Sequence, residues 1–524
     1  MCRDKRAFAL IQPGLLLLAL ACSGSPNSMS GSSAGTTGGN SNATGGGATS
    51  GGATLIGDVR SSASSTAVTG GSRSTGGTSS STGGASSPAR CSFSIITNAI
   101  SSQMPTVGIV EWSIAMSNLA SANIVYTLNA GSSDLLNKGG TAPVDLTKSN
   151  HRTLLLGLKP SSDYTFHIEA TDTSGVVCNS SDYALPTTGF FPPSSTFPTG
   201  VPAISRTVVD ASAQAKGFVV TSSGMTYGNY AVIIDADGTV VWFADGPIQC
   251  SRARMDYEGV NMWMLAVNED NSTGEMRFVS MDGQTTMTNI PGLSDAHHDF
   301  AVLPGKIAAM AWASTETDAE SNLVEMNSDG SGSATTVFKI GSNLYVGGPS
   351  AVGGSTNSYH CNSILYHSTD DSFTIGDRNP NLYVKCSHAG AIQWQLGGSC
   401  VNAPAGASHC VGESWKVNHG HHLLYDGTML VFNNKASGNS HVLEFKLNTS
   451  GTLAAALVKD FTSDSLSSNV LGDVQRLPNG NTLIAYATTG ETIEVDSTWA
   501  TVQTLTGVYG YADWRETLYG PPLR

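Results

Sequence analysis

Positively charged residues are scarce in this sequence: 26 lysines and arginines stand against 40 aspartates and glutamates, a formal net charge of −14. Such a deficit leaves no broad basic surface for a phosphate backbone, so nucleic acid is excluded as an expected partner. An anionic ligand would have to be held by a local group of hydrogen-bond donors and cations.

Long apolar runs are missing as well, since no segment after residue 22 approaches the roughly 20 apolar residues that cross a bilayer. Residues 1–22 have the pattern of an export signal, in which basic residues precede the apolar run Leu15–Ala21. The ending Ala19–Ala21 before Cys22 resembles a bacterial lipobox, which implies a membrane anchor through lipidated Cys22. We therefore expect an exported lipoprotein of the cell envelope, in the periplasm or on the outer membrane or cell surface. A cleaved secretory signal with an incidental cysteine is the alternative.

Bulky apolar side chains are almost absent from residues 23–90, which consist mainly of Ser, Gly, Thr, Ala and Asn. A segment of this composition cannot bury enough apolar surface to offset the entropy that ordering would cost. We expect a flexible tether between the anchor and the folded part of the protein.

Cysteine is sparse, and only seven cysteines follow Cys22. Export would allow disulfides to form. Cys91 and Cys178 bracket one predicted domain, and Cys400 and Cys410 bracket a short loop, so each pair is a candidate disulfide. The other three cysteines cannot all pair among themselves.

Residues 91–190 alternate between apolar and polar positions in short runs such as Val107–Ser113 and Ala122–Leu128, the pattern of β-strands. The stretch Leu158–Tyr164, with the sequence LKPSSDY, resembles the Leu-x-Pro-x-x-x-Tyr corner of fibronectin type III domains. In that corner the hydroxyl of Tyr164 would tie down the loop. We expect a small fibronectin III-like β-sandwich that serves for spacing or docking.

Residues 197–524 repeat one theme, a strand, a turn of the Asp-Gly or Asn-Gly kind and a second strand, as in AVIIDADGTVVWF, LLYDGTMLVFNN and QRLPNGNTLIAYA. Each repeat predicts a β-hairpin. No helix-length amphipathic segment separates the hairpins, so the pattern favours an all-β propeller, and about 330 residues would form six to eight four-stranded blades. A β-helix or a stack of sandwiches fits less well, because the repeats are hairpins rather than short parallel coils.

Histidines gather in this second unit at equivalent places in three hairpins. A histidine stands just before the first strand in DAHHDFAVLPG, SYHCNSILYH and NHGHHLLYDG. In a propeller, equivalent strand ends of different blades converge on the central channel, so these imidazoles can meet in one pocket. Arg378 lies one hairpin beyond His360 and adds a permanent positive charge.

The same motifs, in order, resemble those of the bacterial arylsulfate sulfotransferases: HHDF, HCNSI with IGDRN, NHGHHLLYDGTMLVFNN, VQRLPNGNTLIAYATTGETIEVD and YADWRETLYG. The resemblance runs from about Ala296 to the C-terminus and more weakly from Phe197. It implies a six-bladed β-propeller that moves a sulfuryl group from a phenolic sulfate ester to another phenol through a sulfated histidine. It also implies that no cofactor is needed, because the family does not use phosphoadenosine phosphosulfate, and the sequence has no phosphate-binding loop of the G-x-x-x-x-G-K-[ST] type.

The nucleophile implied by the resemblance is His419, which precedes LLYDGTMLVFNN. His421 remains an alternative, because residues two apart in a strand face the same side. Where the family usually has Gln before the nucleophile, this sequence has Asn418. A disulfide between Cys400 and Cys410 would match the short loop that precedes the nucleophile in some members.

Other site residues are carried over in the same way. His360, Asn362 and Arg378 correspond to the residues that hold the sulfate, and His298, or its neighbour His297, to the remaining histidine. Further candidates for substrate binding are the two threonines before Gly490, Thr488 and Thr489.

The chemistry of these residue types supports such a role independently. Sulfuryl transfer is expected to have a loose transition state with negative charge on the non-bridging oxygens, as phosphoryl transfer has. Arg378 can donate two parallel hydrogen bonds to those oxygens. One neutral imidazole can attack while a protonated imidazole assists the leaving phenolate. Two steps through a sulfohistidine predict ping-pong kinetics.

Three other interpretations fit parts of the pattern. The run His-x-His-His could bind zinc or copper, but no carboxylate or thiolate stands at ligand spacing, so we predict no metal site. A propeller without enzyme activity could bind glycans or proteins at the cell surface. Cys361 beside His360 could be a thiol nucleophile, although an exported cysteine in a strand is more often structural. Trp312 is expected to pack between blades.

Overall fold

The structure is a computed structural model that describes residues 91–130, 134–190, 200–225, 228–267, 274–313, 321–341, 344, 359–398, 410–411, 415–435 and 438–523. Their regular secondary structure is all strand apart from one short 3₁₀ helix, Ser149–His151, so the all-β prediction is confirmed. No helix among these residues is long and apolar enough to cross a membrane. The predicted signal, tether and lipidated Cys22 lie outside the described residues, as does Cys400 of the second candidate disulfide.

Residues 91–190 form two sheets packed face to face around buried side chains such as Trp112, Ile124 and Phe166. Alternate residues of each strand face this core, because side chains in a strand point to opposite faces in turn. The strands are β1 (Phe93–Ile100), β2 (Gly108–Ile114), β3 (Leu119–Leu128), β4 (Gly139–Pro143), β5 (Thr153–Leu155), β6 (Asp163–Asp172), β7 (Val177–Asn179) and β8 (Tyr183–Pro186).

Two local features tie this sandwich together. A disulfide joins Cys91 to Cys178. The backbone N–H of Lys159 donates to Oη of Tyr164 at 2.8 Å, which is the corner bond that the LKPSSDY motif predicts. The assignment to the fibronectin type III family and the domain limits 91–190 and 197–524 stay predictions.

Residues 205–515 form six sheets of four or five strands, in which strands that follow one another in sequence lie side by side. The strands of the first three sheets are β10 (Phe218–Ser222), β11 (Tyr230–Asp235) and β12 (Val240–Asp245); β13 (Cys250–Met255), β14 (Asn261–Ala266), β15 (Met276–Ser280) and β16 (Thr286–Met287); and β17 (Ala296–Leu303), β18 (Lys306–Trp312), β19 (Ser321–Asn327) and β20 (Thr335–Ile340).

The remaining sheets repeat the pattern. Their strands are β21 (Cys361–His367), β22 (Ser372–Asp377), β23 (Leu382–Ser387), β24 (Ile392–Gly397) and β25 (Cys410–Val411); β26 (Asn418–Leu423), β27 (Thr428–Asn433), β28 (His441–Asn448) and β29 (Ala454–Thr462); and β30 (Asp473–Arg476), β31 (Thr482–Tyr486), β32 (Glu491–Val495) and β33 (Thr501–Thr506), which pairs with β9 (Ser205–Val208).

The C-terminal strand β34 (Asp513–Arg515) closes the ring of sheets, because it pairs with β10 of the first sheet. The backbone N–H of Trp514 in β34 also donates to Oε1 of Gln475 in β30, at 2.7 Å, and so links the first sheet to the last. The first strands of the other sheets, β13, β17, β21, β26 and β30, contact one another in sequence order. This topology is that of a β-propeller, which confirms the predicted architecture.

Buried charges join the inner strands. The guanidinium of Arg252 in β13 donates to Asp299 in β17 and to Asp473 in β30, each at 2.7 Å. Paired charges offset the cost of removing each from water. A Cβ atom at Gly420 in β26 would lie 2.1 Å from Oδ1 of Asp473, so only glycine lets β26 approach β30 this closely. This approach sets the position of the neighbouring residue His419.

The sandwich docks on the propeller through polar contacts. The ammonium group of Lys159 pairs with Asp235 and with Asp237. Arg152 of the sandwich forms an ion pair with Asp282 of the propeller at 2.7 Å. The two units are therefore in direct contact.

Candidate active site

The fold brings four of the predicted histidines together at one end of the inner strands. His297 and His298 lie near the start of β17, His360 directly precedes β21, and His419 is the second residue of β26. Because β17 contacts β21 and β21 contacts β26, imidazoles that are distant in sequence become neighbours.

Three imidazoles and one hydroxyl form a hydrogen-bonded row, here called the imidazole row (His360, His298, His297 and Ser321). Nε2 of His360 lies 3.0 Å from Nε2 of His298. Nδ1 of His298 lies 2.9 Å from Nδ1 of His297, whose Nε2 lies 2.9 Å from Oγ of Ser321. The ring of His297 also stacks on Trp312, with 3.9 Å between centroids. Both nitrogens of His298 are therefore engaged, whereas Nδ1 of His360 has no partner among the described residues.

An irregular strand start allows two adjacent histidines to belong to the same row. The pairing of β17 with β18 shifts register between Ala296 and Phe300, and His298 has a φ of 57°. A non-glycine residue in this region costs on the order of 1–3 kcal/mol and persists only where surrounding bonds hold it. The N–H of His298 donates to the carbonyl of Val267 at 3.0 Å, and Oγ of Ser251 donates to the carbonyl of His298 at 3.1 Å.

Arg378 lies beside this row. Its backbone N–H donates to the carbonyl of His360 at 3.0 Å, and no ion pair engages its guanidinium among the described residues. After burial, which is the largest cause, its positive charge contributes to lowering the pKa of His298, His360 and His419. The guanidinium is therefore close to these imidazoles and available to a ligand.

His419 has a defined tautomer. Its Nδ1 lies 2.7 Å from Oδ1 of Asn434, whose Nδ2 donates to the carbonyl oxygens of Ser468 and Leu471, both at 2.7 Å. These carbonyls only accept, so the amide oxygen must face the imidazole, and Nδ1 of His419 must carry the proton. Burial and then the charge of Arg378 lower the pKa of His419 to about 3. At neutral pH Nε2 of His419 therefore keeps its lone pair.

His421 does not share this environment. The prediction that it faces the same side as His419 is wrong, because β26 shifts register between Asn418 and His421, and such a bulge breaks the alternation of side chains. Nδ1 of His421 lies 3.0 Å from Oγ of Ser363, and its Nε2 lies 2.9 Å from Oγ1 of Thr374. With both nitrogens engaged, His421 is the weaker candidate for a nucleophile.

The remaining candidates differ in how they relate to the imidazoles. Asn362 is buried two residues after His360, and its Nδ2 donates to the carbonyl of Asn418 at 2.7 Å, while its Oδ1 has no partner among the described residues. This amide braces β21 against β26. Thr488 and Thr489 are exposed in the turn after β31, and no contact among the described residues links either to the imidazoles.

The surroundings of the imidazoles favour their uncharged form. Burial is the main cause that lowers the pKa of His297, His298 and His360 well below 6.5, and neighbouring imidazoles lower these values further. An anion bound beside the imidazoles would oppose this effect, because it favours the protonated form.

Sequence patterns did not single out three residues that orient these imidazoles. Ser321 ends the imidazole row, Asn434 orients His419, and Oδ1 of Asp377 accepts the backbone N–H of His360 at 2.8 Å. Asn434 stands at the end of the quoted motif LLYDGTMLVFNN, but only the pairing of β26 with β27 brings it to the imidazole. Trp312, which was expected only to pack, stacks on His297.

Neither rival chemistry finds support in the described residues. No group of three or more His, Cys, Asp or Glu among them is arranged to hold a metal ion. Cys361 is buried, and its thiol donates to Oδ2 of Asp377 at 3.4 Å, which is typical of a structural cysteine.

Among solved structures, the protein is similar to a β-propeller domain from Myceliophteria thermophila (11% identity, TM-score 0.35, 57% of this chain and 96% of that chain). It is also similar to a streptogramin B lyase (12% identity, TM-score 0.34, 57% and 86%). A third similarity is to virginiamycin B lyase from Staphylococcus aureus (12% identity, TM-score 0.34, 57% and 87%). We attach no function to similarities this low.

No curated protein matches the sequence. Residues 353–506 match the model of a family described as arylsulfotransferase (ASST), and this range includes His360, Arg378, His419 and Asn434. The match covers less than a third of the sequence, and it supports the resemblance to the arylsulfotransferases and a sulfotransferase enzyme.

Proposed function

We propose that the protein moves a sulfuryl group from an aryl sulfate ester to a phenolic acceptor, without a nucleotide sulfate donor, through a sulfohistidine at His419. The observation that carries this proposal is the bond from Nδ1 of His419 to Asn434. It leaves Nε2 as a neutral nucleophile near the guanidinium of Arg378.

In the first step Nε2 of His419 attacks the sulfur atom, and the bond from sulfur to the phenolic oxygen breaks. Arg378 can donate two hydrogen bonds to the sulfuryl oxygens, where negative charge gathers. Nδ1 of His360 has no partner among the described residues, so His360 is the imidazole that can protonate the departing phenolate. In the second step a phenol attacks the sulfur atom, and His419 is released. Oδ1 of Asn434 accepts a hydrogen bond from Nδ1–H of His419 throughout, which stabilises the positive charge on the sulfated ring.

We also propose that the protein works in the cell envelope, held by a lipid on Cys22 through the tether of residues 23–90. The disulfide between Cys91 and Cys178 supports export, because disulfides persist in oxidising compartments.

Trapping of the intermediate tests this function. The protein is mixed with p-nitrophenyl sulfate in the absence of phenol, quenched in alkali, digested and examined by mass spectrometry. We expect a sulfuryl group on the peptide that carries His419, released when phenol is added. His419→Ala should abolish both labelling and p-nitrophenol release, whereas His421→Asn should retain both. Labelling of another residue, or turnover by His419→Ala, would refute the assignment.

A further inference from the structure

The imidazole row ends on a hydroxyl rather than on solvent. Each contact between two ring nitrogens holds one hydrogen, so one nitrogen donates and the other accepts. The tautomer of each imidazole therefore fixes that of the next, from His360 through His298 to His297. Ser321, buried at the far end, is the member whose hydroxyl can either donate through its O–H or accept on its oxygen.

We propose that His297 and Ser321 are positioning residues which, acting through His298, allow His360 to hold one extra proton while an anion is bound beside His360 and Arg378. This proposal rests on the proposed function and deepens it. It assigns a role in catalysis to two side chains that do not touch the substrate.

When His360 is protonated, the direction of donation is fixed for every hydrogen bond in the imidazole row. A protonated His360 must donate from Nε2, so Nε2 of His298 must accept. His298 then donates from Nδ1 to His297, which donates from Nε2 to Oγ of Ser321. Every hydrogen has an acceptor only because the row ends on an oxygen lone pair. The neutral row can run in either direction, since the hydroxyl can also donate.

The charges around His360 explain why an anion is needed. Burial, the imidazole of His298, the charge of Arg378 and the imidazole of His419 all lower the pKa of His360. The carboxylate of Asp377 is engaged with the backbone N–H of His360. A bound sulfate group supplies the missing negative charge, so its binding is coupled to the uptake of one proton.

The extra proton on His360 is given up in the first step of sulfuryl transfer and regained in the second. The bond between sulfur and Nε2 of His419 forms as the sulfur–oxygen bond of the ester breaks, and the electron pair stays on the phenolate oxygen. That oxygen takes the Nδ1 proton of His360, which becomes neutral and retains its Nε2 proton. In the second step the acceptor phenol returns a proton to Nδ1 of His360, as its oxygen bonds to sulfur and the sulfur–nitrogen bond breaks.

Calorimetry with inorganic sulfate tests the coupling without requiring turnover. Sulfate is titrated into the protein at pH 7.5 in two buffers of different ionisation enthalpy, and the difference in heat gives the protons taken up. We expect about one proton per bound sulfate for the wild type. Ser321→Ala should take up less than half of this, and Ser321→Thr, which restores the hydroxyl, should recover it.

Two further variants distinguish the loss of hydrogen bonds in the imidazole row from general effects of mutation on proton uptake. His297→Phe keeps the stacking on Trp312 but removes both nitrogens, so it should lower proton uptake as Ser321→Ala does. Thr374→Val removes a hydroxyl that bonds to two imidazoles outside the row, those of His367 and His421, and should leave uptake unchanged.

The pH profile of turnover gives a second readout. In Ser321→Ala the alkaline limb of kcat should move to lower pH by roughly one unit, because the protonated row loses its last acceptor. Sulfate binding without proton uptake in the wild type, absence of sulfate binding, or equal uptake in Ser321→Ala would overturn the proposal. If sulfate binding takes up a proton but the protein transfers no sulfuryl group, the proposal about the imidazole row stands and the proposed function is rejected.

Discussion

Oδ1 of Asn434 lies 2.7 Å from Nδ1 of His419, at the point where two neighbouring strands of one sheet begin and end. The amide is held in turn by the carbonyl groups of Ser468 and Leu471. The backbone carbonyl groups therefore fix the orientation of the Asn434 amide, and this amide in turn fixes which ring nitrogen of His419 carries the proton. In this arrangement the nucleophile depends on an amide rather than on a carboxylate, so the ring is oriented without a nearby negative charge that would repel an anionic donor.

Replacement of this amide is the first test. In Asn434→Leu the proton of His419 loses its acceptor, and the ring can adopt the other tautomer. We expect kcat to fall roughly tenfold to a hundredfold, as for the loss of one buried hydrogen bond, while the sulfated peptide still carries its label on His419. The matched control is Asn433→Leu, since the amide oxygen of Asn433 accepts from two backbone N–H groups and from no imidazole. Equal loss of kcat in the two variants would contradict the role of Asn434.

Arg378 provides the second test. Arg378→Lys keeps a positive charge but cannot donate two parallel hydrogen bonds, so kcat/KM should fall roughly tenfold to a hundredfold. Arg378→Met removes the charge, and kcat should fall about a thousandfold. The pKa of His419 should also rise in Arg378→Met, because the guanidinium lowers it, which moves the acid limb of kcat/KM to higher pH. The same exchange at Arg277, which pairs with Glu275, should change neither kcat/KM nor its acid limb. An unchanged acid limb in Arg378→Met would show that the guanidinium does not face His419.

Stability at acid pH tests the electrostatics of the inner strands. Nδ1 of His422 accepts the backbone N–H of Arg476 at 3.0 Å, and burial is the main cause that lowers the pKa of His422 to about 4. Its contribution to stability is complete above the unfolded pKa of about 6.5 and is lost as pH falls towards 4. Between pH 7 and pH 5 this loss amounts to about 2 kcal/mol.

His422→Asn keeps an acceptor but cannot titrate. Its free energy of unfolding, measured by urea denaturation, should therefore fall by about 2 kcal/mol less than that of the wild type between pH 7 and pH 5. All other buried histidines titrate in both proteins, so the comparison isolates one group. Parallel losses would mean that His422 has the same pKa in the folded and unfolded states.

The sequence was sufficient to predict the all-β propeller and to select the histidines that the fold brings together. Hairpin turns and the motifs depend on residue types at short, fixed spacings, which can be read directly from the sequence. The prediction from sequence failed at His421. Regular alternation along a strand predicts that His419 and His421 share a face, but a bulge after Asn418 breaks the alternation. Ser321 and Asn434 were missed for a related reason. Each is an ordinary polar residue whose role depends on which atom of a neighbouring strand it meets.

The contact between sandwich and propeller leads to the last prediction. Lys159 is 7% exposed and pairs with Asp235, which is 2% exposed, and with Asp237 at 3.0 Å. Lys159→Met should lower the free energy of unfolding by about 3–5 kcal/mol, because a buried carboxylate is left without a cation. Calorimetry should show a lower melting temperature. Lys148→Ala is the control, since its pair with Asp145 is 3.9 Å long and largely exposed, and it should cost less than about 1 kcal/mol.

A double variant separates charge from packing at this contact. Asp235→Asn in the Lys159→Met background removes the carboxylate that had lost its partner, so most of the stability should return. If the double variant is no more stable than Lys159→Met, the loss comes from packing of the lysine side chain. Recovery would show that the loss comes from the unpaired carboxylate, and hence that ionic pairing contributes to holding the sandwich on the propeller.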